Sequence, residues 1–92
     1  MIIKKQMVAS GRVQGVGFRQ FVYEEAKKHH LYGSVRNRND GAVDIEVEGT
    51  NEKVTEWVTR IKQGNGFSEI RELTSQETDE INHNKTFSIR YD

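Results

Sequence analysis

Val35-Arg36-Asn37-Arg38-Asn39-Asp40-Gly41-Ala42-Val43-Asp44-Ile45-Glu46-Val47-Glu48 decides the fold of this chain. Val43, Ile45 and Val47 are apolar at odd positions, while Asp44, Glu46 and Glu48 are acidic at even ones. Such alternation marks a strand with one dry and one wet face. In the segment before it Val35 is apolar and Arg36 and Arg38 are polar, so odd numbers again point inward. Facing residues of a hairpin share one side of the sheet, so paired numbers must sum to an even total. A three-residue loop, Asn39-Asp40-Gly41, meets that condition and puts Gly41 at the left-handed position such a turn requires. The register sets Arg36 opposite Asp44 on the wet face, a favourable cross-strand pair. It also puts Asn37 on the dry face with Val35, toward the end of its strand. An amide buried there must find partners or cost about 1–3 kcal/mol.

Helices are expected on both sides of this hairpin. Before it, Phe18, Val22 and Ala26 recur at i, i+4 and i+8 with Phe21 beside them, predicting a helix from about Phe18 to His30. Lys27, Lys28, His29 and His30 fall in its last turn, where cations complement the helix dipole. After the hairpin, Val54, Trp57, Val58 and Ile61 fall at i, i+3, i+4 and i+7. Thr50 or Asn51 serves as N-cap of this second helix and Gly64 as its terminator. A first strand covers Lys5 to Arg12, a later one Phe67 to about Ser75, and a last one Thr86 to Tyr91. The order is β-α-β-β-α-β, with room for a short additional edge strand. Two helices on one face of an antiparallel sheet make an α+β, ferredoxin-like α/β sandwich. A fold shared this widely settles no function.

The 92 residues are read as one domain, 1–92, and no apolar run approaches the roughly 20 residues needed to cross a bilayer. Met1-Ile2-Ile3-Lys4-Lys5 lacks the apolar core of a signal peptide. With no cysteine there is no disulfide, no thiol nucleophile and no zinc–thiolate site. The expectation is a soluble, cytoplasmic protein. Net charge is zero but unevenly spread: residues 1–40 hold eight Lys/Arg against three Asp/Glu, and residues 41–92 six against eleven. The basic half carries the segment most suggestive of chemistry, and a local field drawing a small anion accounts for the asymmetry as well as nucleic acid would.

That segment is Gly11-Arg12-Val13-Gln14-Gly15-Val16-Gly17-Phe18-Arg19. Two glycines two residues apart let the backbone turn tightly with no Cβ in the way of a ligand. Helix-forming residues follow at once, so the loop's N–H groups lie at a helix N-terminus, where partial positive charge favours an anion. Arg19 adds a planar five-donor fork suited to phosphate oxygens. A plain connector would have the same spacing. A dinucleotide fingerprint is excluded because Gln20 stands where a third glycine belongs, and a P-loop because no Lys-Ser/Thr follows.

Together these residues bring a family into view. The Gly11–Arg19 run resembles the signature of acylphosphatases, and so does a second block from Gly33 to Gly49. The closing Phe87-Ser88-Ile89-Arg90-Tyr91 is similar to the family's last strand. The resemblance spans essentially the whole chain and departs from the family near Asn65-Gly66, where members often have Pro, and at Ser68, where they often have a small residue. It implies hydrolysis of acyl phosphates to a carboxylate and inorganic phosphate by a monomeric, metal-independent enzyme without cofactors. By the same resemblance Arg19 binds the phosphoryl group, with backbone N–H groups of Gln14, Gly15, Val16, Gly17, Phe18 and Arg19 on the same oxygens. Asn37 matches the asparagine that positions the attacking water.

An acylphosphatase-like domain can also be a non-catalytic or subunit part of a larger protein. Gly17-Phe18-Arg19-Gln20-Phe21-Val22-Tyr23 superficially resembles an RNA-recognition strand, but an extra residue separates the aromatics and the segment has helical periodicity. Asp44, Glu46 and Glu48 on the wet face would repel RNA. His29 and His30 point about 100° apart on a helix and gain no i+4 ligand, which disfavours a metal. His83 is read as loop, Arg12 and Arg38 as surface charge, and Glu77, Asp79 and Glu80 as a solvated turn.

Overall fold

A computed structural model describes residues 1–91. In chain order the elements are β1 (Ile2–Arg12), α1 (Phe18–Lys28), β2 (Tyr32–Asn37), β3 (Val43–Thr50), α2 (Asn51–Gln63), β4 (Glu69–Glu77) and β5 (Phe87–Arg90). The five strands form one sheet in the order β4-β1-β3-β2-β5. The first six elements give the expected ferredoxin-like arrangement, and β5 is the additional edge strand.

The hairpin register is the one derived from parity. Val35 faces Ile45, Arg36 faces Asp44 and Asn37 faces Val43. Gly41 takes φ 96°, and the amide of Arg38 donates to the carbonyl of Ala42 at 2.8 Å to close the three-residue loop. Val35, Val43, Ile45 and Val47 are buried, as are Met7 and Ala9 of the adjacent β1. Against this face the helices seat Phe18, Val22 and Ala26 from α1 and Val54, Trp57 and Ile61 from α2. The indole N–H of Trp57 donates to the carbonyl of Val22 at 3.3 Å, so the largest core side chain also joins the two helices. The buried Glu25 carboxylate of α1 also links the two helices, receiving Lys28 at 3.1 Å and Arg60 of α2 at 3.5 Å. Thr50 is the N-cap of α2, its hydroxyl accepting from the Lys53 amide at 3.2 Å, and Gly64 ends that helix at φ 79°.

Three expectations require correction. Strand boundaries shift: β1 starts earlier, at Ile2, and β4 starts later, at Glu69, which leaves Phe67 in a loop, 73% exposed. The helix expected to reach His30 ends at Lys28. More important, the sheet is mixed. The β1–β3, β1–β4 and β2–β3 pairs are antiparallel, but β5 runs parallel to β2, with Gly33 facing Phe87 and Arg36 facing Arg90. The cause is the path after β4. Residues 78–86 carry the chain from one edge of the sheet to the other along the row Lys4, Glu48, Tyr32, which are register neighbours on the helix-free face. The chain therefore enters β5 at the end where β2 begins, and both strands run toward the end where α1 starts.

Candidate active site

The loop between β1 and α1 lies where β2 and β5 finish. Gly15 and Gly17 both adopt left-handed conformations, φ 74° and 75°. Left-handed residues alternating with right-handed ones turn successive N–H groups toward a common concave side. Gly17 is also the N-cap of α1. It offers no side-chain acceptor, and the first helical turn carries no acidic residue. The cap and first turn of the helix thus carry no side chain that neutralises its positive end.

A cavity of about 170 Å³ opens at this point, lined by Val13, Gly15, Gly17, Phe18, Arg19, Gln20, Asn37, Ile89 and Tyr91. Phe18 is buried and fixes the first turn of α1 to the core, which leaves Arg19, one residue on, at the cavity. Arg19 Nη1 donates to the Arg90 carbonyl at 3.5 Å, and its guanidinium lies 4.8 Å from the centre of the Tyr91 ring. Asn37 enters from the end of β2. Its Oδ1 is, among the described residues, the buried side-chain polar atom left without a hydrogen-bond partner. The arrangement offers a guanidinium, a helix N-terminus and one unmet acceptor within a single small cavity. It suits an anion with a water beside it.

Residues 5–89 match the family model for acylphosphatase. The chain belongs to the acylphosphatase family. Acylphosphatase of Bacillus licheniformis is 42% identical over 90 residues, covering 98% of this chain and 100% of its own. The crystal structure of acylphosphatase from Bacillus subtilis superposes with a TM-score of 0.90 at 40% identity, covering 99% of this chain and 100% of that one. HypF of T. kodakarensis is similar at a TM-score of 0.82 and 30% identity, covering 100% of this chain but 12% of that much longer one.

Of the acylphosphatase site residues expected from sequence, Gly15, Gly17, Phe18, Arg19 and Asn37 line the common cavity. Gln14 and Val16 stand beside it. The side-chain amide of Gln14 donates to the carbonyls of Arg38 at 2.8 Å and Ala42 at 2.9 Å, which ties the glycine loop to the hairpin that presents Asn37. The Val16 carbonyl accepts from Asn65 Nδ2 at 2.8 Å, while Asn65 Oδ1 receives the amides of Phe67 and Ser68 at 3.0 and 2.9 Å. Sequence reasoning missed this clamp, although an Asn-Gly pair just past a helix is a known signal for a side chain that bonds the backbone two or three residues on. It also missed Ile89 and Tyr91. Their signal was the alternation Phe87, Ile89, Tyr91, which puts all three on the helix side once β5 lies beside β2.

Arg38, read as surface charge, belongs to a network on the opposite face. It pairs with Asp40 at 2.9 Å and Asp44 at 3.3 Å, and Arg36 pairs with Asp44 at 2.9 Å. The Asp40 carboxyl is held below its ordinary value, chiefly because it accepts from the Ala42 amide, with Arg38 adding to the effect against a partial loss of solvation. Arg38 is pushed up in turn, first by Asp40 and then by Asp44. His83 lies far from the cavity, bonded to Glu48 at 2.9 Å, and His29 Nδ1 lies 2.8 Å from the Glu25 carbonyl.

Proposed function

We propose that this chain hydrolyses acyl phosphates to a carboxylate and inorganic phosphate, with Arg19 and the N–H groups at the start of α1 holding the phosphoryl oxygens and Asn37 orienting the attacking water. The observation that carries this reading is the unpartnered Oδ1 of Asn37, buried in the cavity that Arg19 also lines. An acceptor left unmet there costs about 1–3 kcal/mol, an expense a fold retains when the missing partner is a reactant. Asn37 accepts one water hydrogen and so aims an oxygen lone pair at phosphorus.

The chemistry needs little more. Water forms a new P–O bond as the P–O bond to the acyl oxygen breaks, and the pair of electrons in that bond leaves on a carboxylate. A carboxylate is a weak base and departs without protonation, so no general acid is required. Asn37 is no base, and the water proton passes to a phosphoryl oxygen. The transition state is loose in most analyses, and catalysis rests on positioning and on stabilising the equatorial oxygens. Arg19 and the helix terminus supply that positive potential without a metal ion.

The test is hydrolysis of benzoyl phosphate with EDTA present, comparing wild type, Arg19→Ala and Asn37→Ala. Turnover that survives EDTA is expected. Arg19→Ala should lower kcat/KM by about a thousandfold or more, and Asn37→Ala should lower kcat by about a hundredfold. Inhibition by inorganic phosphate, which needs no attacking water, should stay nearly intact in Asn37→Ala. A wild-type kcat in folded Asn37→Ala would end the role given to that residue.

A further inference from the structure

The proposed reading requires Arg19 to be in place before a phosphoryl group arrives, and the residues around it show how that is achieved. An arginine side chain is long and rich in rotamers, and holding it in one geometry costs entropy. A neighbouring carboxylate would be the common solution, but it would compete with an anionic ligand for the same donors. Among the described residues Arg19 makes no ion pair, and its two contacts are the Arg90 carbonyl and the Tyr91 ring. The carbonyl takes one N–H of the five. The ring meets the guanidinium 4.8 Å from its centroid and takes no N–H at all. Among the described residues, four donors and the full positive charge stay available.

Among the described residues, the Arg19 guanidinium is the group that lies over the Tyr91 ring. Tyr91 is 80% exposed, so core burial does not explain its place. It follows β5 by one residue, and the strand alternation that turns Phe87 and Ile89 toward the helices turns it to the same side as Asn37. The parallel β2–β5 pairing therefore delivers an aromatic face to the one arginine at the cavity. We infer that Tyr91 is a positioning residue, a neutral platform that pre-orders the Arg19 guanidinium for the phosphoryl group. This inference rests on the phosphoryl-binding role proposed for Arg19.

Pre-ordering Arg19 favours bound substrate and transition state alike, which predicts a change in KM with little change in kcat. For Tyr91→Ala, KM for benzoyl phosphate should rise about three- to fivefold, the range expected of an exposed cation–π contact. The Kd of inorganic phosphate, measured by calorimetry, should rise by the same factor. Tyr91→Phe, which keeps the ring and drops the hydroxyl, should restore both values, and Tyr91→Leu should not. The melting temperature of all three should match wild type because the residue is exposed. Unchanged KM and Kd in Tyr91→Ala would overturn the inference, as would equal losses in Tyr91→Ala and Tyr91→Phe. If wild type binds phosphate with this Tyr91 dependence yet turns over no benzoyl phosphate, the proposed activity fails and the positioning role is supported.

Discussion

Asp40 shows how much one side chain does at a tight turn. Its Oδ1 accepts from the Ala42 amide at 3.1 Å, and its Oδ2 receives Arg38 at 2.9 Å. Both bonds favour the ionised carboxyl, so its folded-state value lies below the unfolded one. A depressed carboxyl contributes stability above the unfolded value, and that contribution is lost as pH falls through the folded one. Below about pH 4 the wild-type hairpin should therefore lose an advantage it holds at pH 6. Asp40→Asn keeps an oxygen for the Ala42 amide but has no charge to lose. The stability gap between wild type and Asp40→Asn, measured by denaturant unfolding, should accordingly narrow from pH 6 to pH 3. A gap that stays constant over that range would show that the charge on Asp40 does not matter. The bond to Ala42 was not foreseen from the sequence, though the three-residue loop was. Loop length follows from parity, whereas the direction an aspartate turns depends on the finished turn.

At the scale of elements, the glycine loop is held from two sides by amides. Gln14 fastens it to the β2–β3 hairpin, and Asn65 fastens it to the segment between α2 and β4. Both elements of the cavity that come from different parts of the chain are thereby fixed relative to one another. Asn65 stands where the resemblance showed a departure from the family's frequent proline, and its three backbone bonds supply by side chain the constraint a ring would give. Asn65→Ala should cost about 1–2 kcal/mol and also weaken phosphate inhibition, because the Val16 carbonyl is released next to the N-cap of α1. Thermal unfolding and the inhibition constant measure the two effects separately. A destabilised variant with unaltered phosphate inhibition would confine Asn65 to the α2–β4 turn. The elements themselves were legible: both helices, the hairpin and its register follow from apolar periods of 3.6 and 2 residues. Arg19 and Asn37 stood out as candidates as well, because each lies in a long block with a family resemblance, and the two line one cavity. The local half of the Asn65 clamp had a signal in Asn-Gly, but the carbonyls that Gln14 and Asn65 donate to lie 24 to 49 residues away and carry no local pattern.

At the scale of the whole molecule, the feature hidden from sequence is the route from β4 to β5. Hydrophobic alternation in Phe87-Ser88-Ile89 marks a strand but does not say which edge receives it or in which direction. The strap of residues 78–86 decides both. It is pinned at one end by the Thr78 amide on the Lys4 carbonyl at 3.0 Å and at the other by the Gly33 amide on the Thr86 carbonyl at 3.0 Å. Between them His83 is the main fastening. The Lys85 amide donates to its Nδ1 at 2.9 Å, so the ring proton resides on Nε2 and is donated to Glu48 at 2.9 Å. The same ring packs against Tyr32 with centroids 5.1 Å apart. Removing it leaves a partly buried carboxylate and frees the middle of the strap. His83→Ala should then lower global stability by about 1–3 kcal/mol. It should also speed hydrogen exchange of the β5 amides more than those of β1 and β3, because β5 has one strand neighbour and is held to the sheet by this strap. Since Tyr91 reaches Arg19 from the end of β5, loosening the strap should raise KM for benzoyl phosphate while leaving kcat near wild type. Exchange that accelerates equally in β1, β3 and β5 would mean that β5 opens only with the whole sheet. In that case a fastening on the helix-free face would have no separate hold on the site across the sheet.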